Sequence, residues 1–256
     1  MAHKTLIDGT AYEISGGRAR IASVNYSIDK GRARIAGTSY DISFGTPIGS
    51  LAVGTSVFFD VDGAPWEFIV VHQGNPDSTV YDESCDGTWL LMKNIYELRN
   101  FDISYNNYRD SEIHSYLNGA FLGRLDSNIQ SAVKSAKIPY TNGRGDTGSL
   151  AIGSNGLSTK MFLLSYTEVG FSGSHFANVE GGVLDYFNTD LNEVRMGYWN
   201  DMAYPWWLRS PSTSGSAHIW YVGNDSSSGR AAYNATFGNR PAFILPSDFD
   251  VTNYLA

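Results

Sequence analysis

Catalysis by side chains needs groups spaced to act on one another, and this sequence of 256 residues offers few. A hydrolase requires a nucleophile beside a base, or two carboxylates facing one bond. The histidines, His3, His72, His114, His175 and His218, are scattered, with neither His-x-x-x-His nor His-Glu-x-x-His among them. Gly170-Phe171-Ser172-Gly173 misses the Gly-x-Ser-x-Gly register. Asp82, Glu83 and Asp86 surround Cys85, where a solvated acidic turn is the simpler reading. Cys85 is the lone cysteine, which excludes an intrachain disulfide and a thiolate metal cluster; it is expected to be half buried. No phosphate-binding glycine loop occurs. These residues assign no catalytic group, no metal and no cofactor. Carboxylates can still meet only in the fold, so a glycan hydrolase is the enzymatic alternative to a protein without catalytic activity.

The chemistry that is present suits contact. Residues 212–238 are rich in Ser, Thr, Gly, Ala, Asn, Asp and Tyr, with His218, Trp220 and Arg230 interspersed. A ligand surface needs a few rigid aromatics ringed by adaptable polar groups. Trp220, Tyr221 and Tyr233 are the expected anchors, and His218, Asp225, Arg230 and Asn234 the polar contacts. Strand alternation over 217–222 puts His218, Trp220 and Val222 on one face and Ile219 and Tyr221 on the other. Because Ile219 prefers the interior, Trp220 is expected outside with His218. Arg144-Gly145-Asp146, in a Gly/Asn/Ser/Thr-rich loop at 140–158, reads as a chance tripeptide.

Two textures must position these residues. Residues 1–45 repeat: Tyr12, Tyr26 and Tyr40, Ile14, Ile28 and Ile42, and Gly17, Gly31 and Gly45 each recur every 14 residues. Each unit reads as a Tyr-x-Ile strand, a turn at Gly and an Ala-x-Ile strand. Three such units hold too few large apolar groups to stand alone. A small all-β stem is therefore expected to bury one face, against sister subunits (a homotrimer suits three units) or against a larger particle. Residues 46–256 predict an α+β domain. Val57–Val61 and Trp66–Val71 read as strands joined by an Asp62-Gly63 turn, and Trp89–Met92 as a buried strand. Ile113, Tyr116, Leu117, Ala120 and Phe121 form a helical stripe, capped by Asp110 or Ser111 and stopped at Gly123. Leu125, Ile129, Ala132, Val133 and Ala136 form a second. Met161–Leu164 reads as a core strand, and Ser165-x-x-Glu168 as a capping box opening a short helix.

Composition bounds the partners. Hydrophobic residues at 42% against 17% charged describe a globular chain. A net charge of −8 repels phosphate backbones, so nucleic acid is not an expected partner. No segment is long and apolar enough to span a membrane, and the N-terminus carries no apolar run of secretory length. Synthesis in a bacterial cytoplasm without a signal peptide is expected.

Trp206-Trp207-Leu208-Arg209-Ser210-Pro211, followed after 212–238 by Asn239-Arg240-Pro241-Ala242-Phe243-Ile244-Leu245, resembles a bacterial and phage family with a C-type-lectin-like fold. Tyr116-Leu117-Asn118-Gly119 and Phe162-Leu163-Leu164-Ser165 fall in the same order upstream, and the resemblance covers roughly residues 48–247. It implies mixed short sheets with two helices as a rigid scaffold, including Trp206, Trp207, Leu208 and Pro241–Leu245. It also implies a solvent-facing ligand surface in 212–238, as in variable proteins diversified by retroelements. Calcium-dependent lectins pair Trp-Asn-Asp with Glu-Pro-Asn or Gln-Pro-Asp. Trp199-Asn200-Asp201 is present here without either, and a calcium site needs six or more oxygens, so no metal is carried over. Related formylglycine-generating oxidases need active-site cysteines, which Cys85 alone does not supply. The implied function is a phage tail adhesin in the virion. Its stem would dock on a virion component and its surface would recognise a host-cell protein or glycan. The alternative is a structural or decoration protein of the particle.

Overall fold

The computed structural model describes six backbone strands within residues 3–43 and, in full, residues 45–143, 148–174, 177–213 and 216–255. Arg144-Gly145-Asp146 and His175 lie outside the described residues. The chain divides into two compact units, Met1–Thr46 and Pro47–Ala256.

The smaller unit holds β1 (His3–Ile7), β2 (Thr10–Ile14), β3 (Arg18–Ile21), β4 (Val24–Ser27), β5 (Lys30–Ile35) and β6 (Thr38–Ser43). They pair antiparallel as three hairpins, closing where Ile7 faces Thr10, Ile21 faces Val24 and Ile35 faces Thr38. The tight connection of each repeat therefore follows the isoleucine. Gly31, expected at a turn, lies inside β5 opposite Ile42, and Gly17 lies outside the described residues. Two-residue links are the favoured hairpin closures, and Gly31-Arg32-Ala33-Arg34-Ile35 runs on as one strand.

In the larger unit the chain runs through β7 (Ser56–Val61), β8 (Ala64–Gln73), β9 (Thr88–Met92) and β10 (Glu97–Asn100), then α1 (Glu112–Tyr116) and α2 (Ser127–Ala132). Short strands follow: β11 (Ala136–Ile138), β12 (Tyr140–Thr141), β13 (Leu150–Ala151), β14 (Leu157–Thr159) and β15 (Met161–Phe162). The last are β16 (Tyr198–Trp199), β17 (Met202–Ala203), β18 (Trp206–Pro211), β19 (His218–Val222), β20 (Ser228–Ala232), β21 (Thr236–Asn239) and β22 (Ala242–Leu245). The class is α+β, with mostly short sheets and few helices. One five-stranded sheet has the order β15-β22-β9-β8-β7 and the other β10-β21-β18-β19-β20. The ends of the unit meet, with Pro47 bridging Asp250 and the Ile48 amide donating to Phe249 O at 2.8 Å.

Local chemistry explains these elements. Asp62 (φ 53°) and Gly63 (φ 77°) turn β7 into β8, both in the left-handed region that a two-residue hairpin demands. β7 buries Val57, Phe59 and Val61 on one face, and β9 is buried throughout because both its faces are covered. Ser111 caps α1, its Oγ accepting from the His114 amide at 3.2 Å. The helix then widens into a π turn over Leu117–Phe121. That wider turn shifts the stripe: Ile113, Leu117 and Phe121 are buried, whereas Ala120 faces solvent, against expectation. α2 stops at Ala132, so Ala136 belongs to β11 instead of the second helical stripe. Cys85 is fully buried, not half buried; its Sγ donates to Lys137 O at 3.3 Å and burial pushes the thiol up to about 12. Among the described residues no helix is long and apolar enough to cross a membrane.

Candidate functional site

The two motifs form the wall on which a site is displayed. Trp206, Trp207, Leu208 and Arg209 are fully buried in β18, as are Phe243, Ile244 and Leu245 in β22. Arg209 makes a two-pronged contact with Glu168 (2.6 and 2.7 Å) and reaches Glu180 at 3.2 Å. Tyr81 Oη donates to Glu168 Oε1 at 2.9 Å, and Ser210 Oγ donates to Glu180 Oε2 at 2.5 Å. Glu168 also completes the capping box: its Oε2 accepts from the Ser165 amide at 2.8 Å and its own amide donates to Ser165 Oγ at 3.0 Å. A turn follows it, not the expected helix. Two carboxylates thus do meet in the fold, as a glycosidase would require, but both have 0% exposure and both are held by Arg209. Burial pushes Glu180 up to about 7, against the pull of Arg209 and Ser210.

Arg240, the arginine of the second motif, is buried with no carboxylate partner among the described residues. It donates to the backbone carbonyls of Met92 (3.2 Å) and Lys93 (2.8 Å) and lies over the Trp206 ring at 4.5 Å. Burial pulls it down to about 10, still charged at neutral pH. Trp199-Asn200-Asp201 also has a backbone explanation. Asn200 (φ 49°) and Asp201 (φ 62°) form the link between β16 and β17, and apart from glycine these residue types tolerate that conformation best.

The seven expected ligand residues do not form one patch. β19 and β20 make a hairpin in which His218 faces Ala232 and Val222 faces Ser228. Asp225 sits in the turn at one end, where its Oδ1 accepts from Ser227 N (3.1 Å) and Ser227 Oγ (2.6 Å) and shapes the turn. His218, Tyr233 and Asn234 lie at the other end, about 13 Å away along the strands. His218 and Asn234 are exposed and Tyr233 is half buried. Trp220 does not stand outside with His218: it is 6% exposed, packed on Tyr166 (centroids 4.5 Å apart) with the Arg230 guanidinium 5.5 Å from its ring. The turn after Ser165 lays Tyr166 on that face, with Phe171 against Tyr166 (5.2 Å), so both faces of β19 are covered. Tyr221 is half buried on Phe237 at 4.7 Å. Arg230 is exposed and donates to Ser212 Oγ at 3.2 Å.

At the His218 end, four loops converge. Asn106 is fully buried, and its Nδ2 donates to Ser212 O (3.3 Å) and His218 O (3.2 Å). Gly143 lies so close to the Asn106 backbone that a side chain there has no room. Asn178 Nδ2 donates to Gly148 O at 2.5 Å, and a Cβ on Gly148 would meet Thr213 at 3.0 Å. The amides of Phe101 and Asp102 both donate to Tyr233 O, at 3.0 and 3.1 Å. These contacts knit residues 101–107, 142–143 with 148–149, 177–179, and 212–213 with 216–218 into one end of the unit. Large apolar groups there face outward: Ile103 is 66% exposed, Tyr105 45% and Val179 71%. Sequence reasoning missed all three. The available signal was Asp102–Tyr108, Asp-Ile-Ser-Tyr-Asn-Asn-Tyr, whose composition matches the one noticed only in 212–238.

No curated protein and no solved structure matches the chain. One family, described as a domain of unknown function (DUF6273), matches residues 86–247, which include both buried motifs and every loop of this end. That match spans more than half of the sequence, and the chain belongs to the DUF6273 family.

Proposed function

We propose that this is a non-enzymatic receptor-binding protein with a C-type-lectin-like main domain, and that its ligand face is the four-loop end. The observation that carries the proposal is the contrast at that end: loop backbones pinned by the buried Asn106 and the half-buried Asn178, and Ile103, Tyr105 and Val179 turned to solvent. Rigid loops with exposed large side chains on a packed scaffold are the usual form of a recognition surface. His218, Tyr233 and Asn234 border this face. Trp220, Tyr221, Arg230 and Asp225 serve the hairpin behind it. The lectin-like reading is supported by the mixed short sheets, the two short helices, the buried motif strands and the pairing of the unit's two ends.

In this reading the protein is a phage tail adhesin, of the type diversified by retroelements. Residues 1–45 attach it to a virion component or join it as a homotrimer, and the ligand is a protein or glycan of the host-cell surface. The buried state of Glu168 and Glu180 weighs against hydrolysis of that ligand, because no substrate reaches them. The test is binding of labelled full-length protein to a panel of bacterial strains. Ile103→Asp is expected to abolish binding without changing the melting temperature. Unchanged binding by Ile103→Asp, Tyr105→Ala and Val179→Asp alike would remove the loop end from consideration.

A further inference from the structure

We infer that the groove between β10 and α1 is a subsite for a neutral saccharide, a specification that rests on the chain being a ligand-binding protein. β10 is the edge strand of its sheet. Beside it opens a concavity of about 640 Å³, lined by Arg99 and Asn100 from β10 and by Asp110, Glu112, Ser115 and Tyr116 from α1 and its approach. The groove adjoins the 101–107 loop, so it continues the proposed ligand face.

The chemistry of the lining selects the ligand class. Pockets for apolar small molecules carry mostly hydrophobic walls with a few polar groups. Here the proportion is reversed, and only the Tyr116 ring is apolar. A sugar hydroxyl donates and accepts at once, so a pair of neighbouring hydroxyls needs both kinds of partner side by side. Arg99 and Asn100 supply donors, and Asp110 and Glu112 supply acceptors across the groove. One arginine against two carboxylates disfavours a phosphate or sulfate.

A second observation is independent of the shape. Beneath the groove Tyr116 makes a side-chain hydrogen bond to the Glu97 carboxylate. Glu97 Oε1 and Arg99 Nε approach to 3.2 Å, but out of alignment for a hydrogen bond. Across the two strands from Glu97 stands Asn239, fully buried with both amide atoms unpaired. Tyr116 and Arg99 thus reach the groove from a buried polar layer that fixes their positions. The Arg99 guanidinium also lies over the Tyr116 ring, 3.5 Å from its centroid, which fixes its donors before a ligand arrives. The arginine of the second motif holds backbone carbonyls; its neighbour Asn239 points to this polar column.

The test titrates full-length protein with the methyl glycosides of glucose, galactose, mannose and N-acetylglucosamine, followed by ligand-observed NMR, with methyl phosphate as the anionic probe. At least one glycoside is expected to bind saturably and methyl phosphate is not. Glu112→Gln and Tyr116→Phe should each weaken binding about tenfold at unchanged melting temperature. Glu83→Gln, an exposed charge outside the groove, should bind as the parent does. Absence of glycoside binding, a preference for methyl phosphate, or equal binding by Glu112→Gln and Tyr116→Phe overturns the inference. If the loop variants lose cell binding while no glycoside enters the groove, this inference fails and the loop face stands. Glycoside binding at the groove with loop variants that still bind cells gives the converse.

Discussion

The wall around Arg209 and the loop end around Asn106 both depend on buried polar side chains, and they use them in opposite ways. At the wall, full charges face one another: Arg209 with Glu168 and Glu180, all at 0% exposure. At the loop end, neutral amides hold backbone carbonyls, with Asn106 on Ser212 O and His218 O and Asn178 on Gly148 O. A charged cluster fixes side chains against side chains, so altering one member strands the others in a medium that cannot solvate them. An amide bound to a carbonyl fixes only the course of the backbone. The side chains of that backbone remain free to differ, which is what a display surface requires.

The sharpest way to break this contrast is Arg209→Met. It leaves two carboxylates buried with no cation, and about 4 kcal/mol of stability should disappear in denaturant unfolding. A loss below about 1 kcal/mol would show that the cluster does not brace the fold. Trp220→Ala is next. The tryptophan lies beneath Tyr166 and Arg230, so it should cost about 3 kcal/mol, as a core substitution does. Loss of binding by that variant with wild-type melting would return Trp220 to the ligand surface.

A smaller effect separates the two regions by pH. Burial raises Glu180 from an ordinary 4.5 to about 7. A raised carboxyl favours folding fully below its unfolded value, and that contribution is lost as pH rises through the folded one. The stability difference between the parent and Glu180→Gln should therefore shift against the parent, on the order of 3 kcal/mol, between about pH 4 and pH 8. A pH-independent difference would show that Glu180 stays ionised throughout. The smallest stability effects belong to the loop end, where Tyr105→Ala and Val179→Asp should change unfolding free energy by no more than about 0.5 kcal/mol.

The same contrast separates what the sequence discloses from what it hides. The Asp62-Gly63 turn was readable because two left-handed residues in succession have few other solutions. The burial of Trp206, Trp207 and Leu208 followed from density of large apolar groups. Alternation paired Trp220 with His218 on one face but carried no information about Tyr166, 54 residues upstream in the chain, which covers it. Glu168 and Glu180 lie 41 and 29 residues from Arg209, beyond any local pattern. The π turn at Leu117–Phe121 defeated a stripe drawn at ideal helical spacing and put Ala120 outside. Ile103 and Tyr105 join the His218 end through Asn106 and the Tyr233 carbonyl, contacts that exist after folding.

The most direct measurement pairs stability and cell binding in two aromatic variants, Tyr105→Ala and Trp220→Ala, made in the full-length protein. Tyr105→Ala is expected to unfold like the parent and to lose at least about 2 kcal/mol of binding. Trp220→Ala is expected to be destabilised by about 3 kcal/mol, with binding retained wherever it remains folded. Tyr105→Ala binding at parental strength, together with a stable Trp220→Ala that no longer binds, would contradict the assignment of display to the loop end and scaffold to the hairpin.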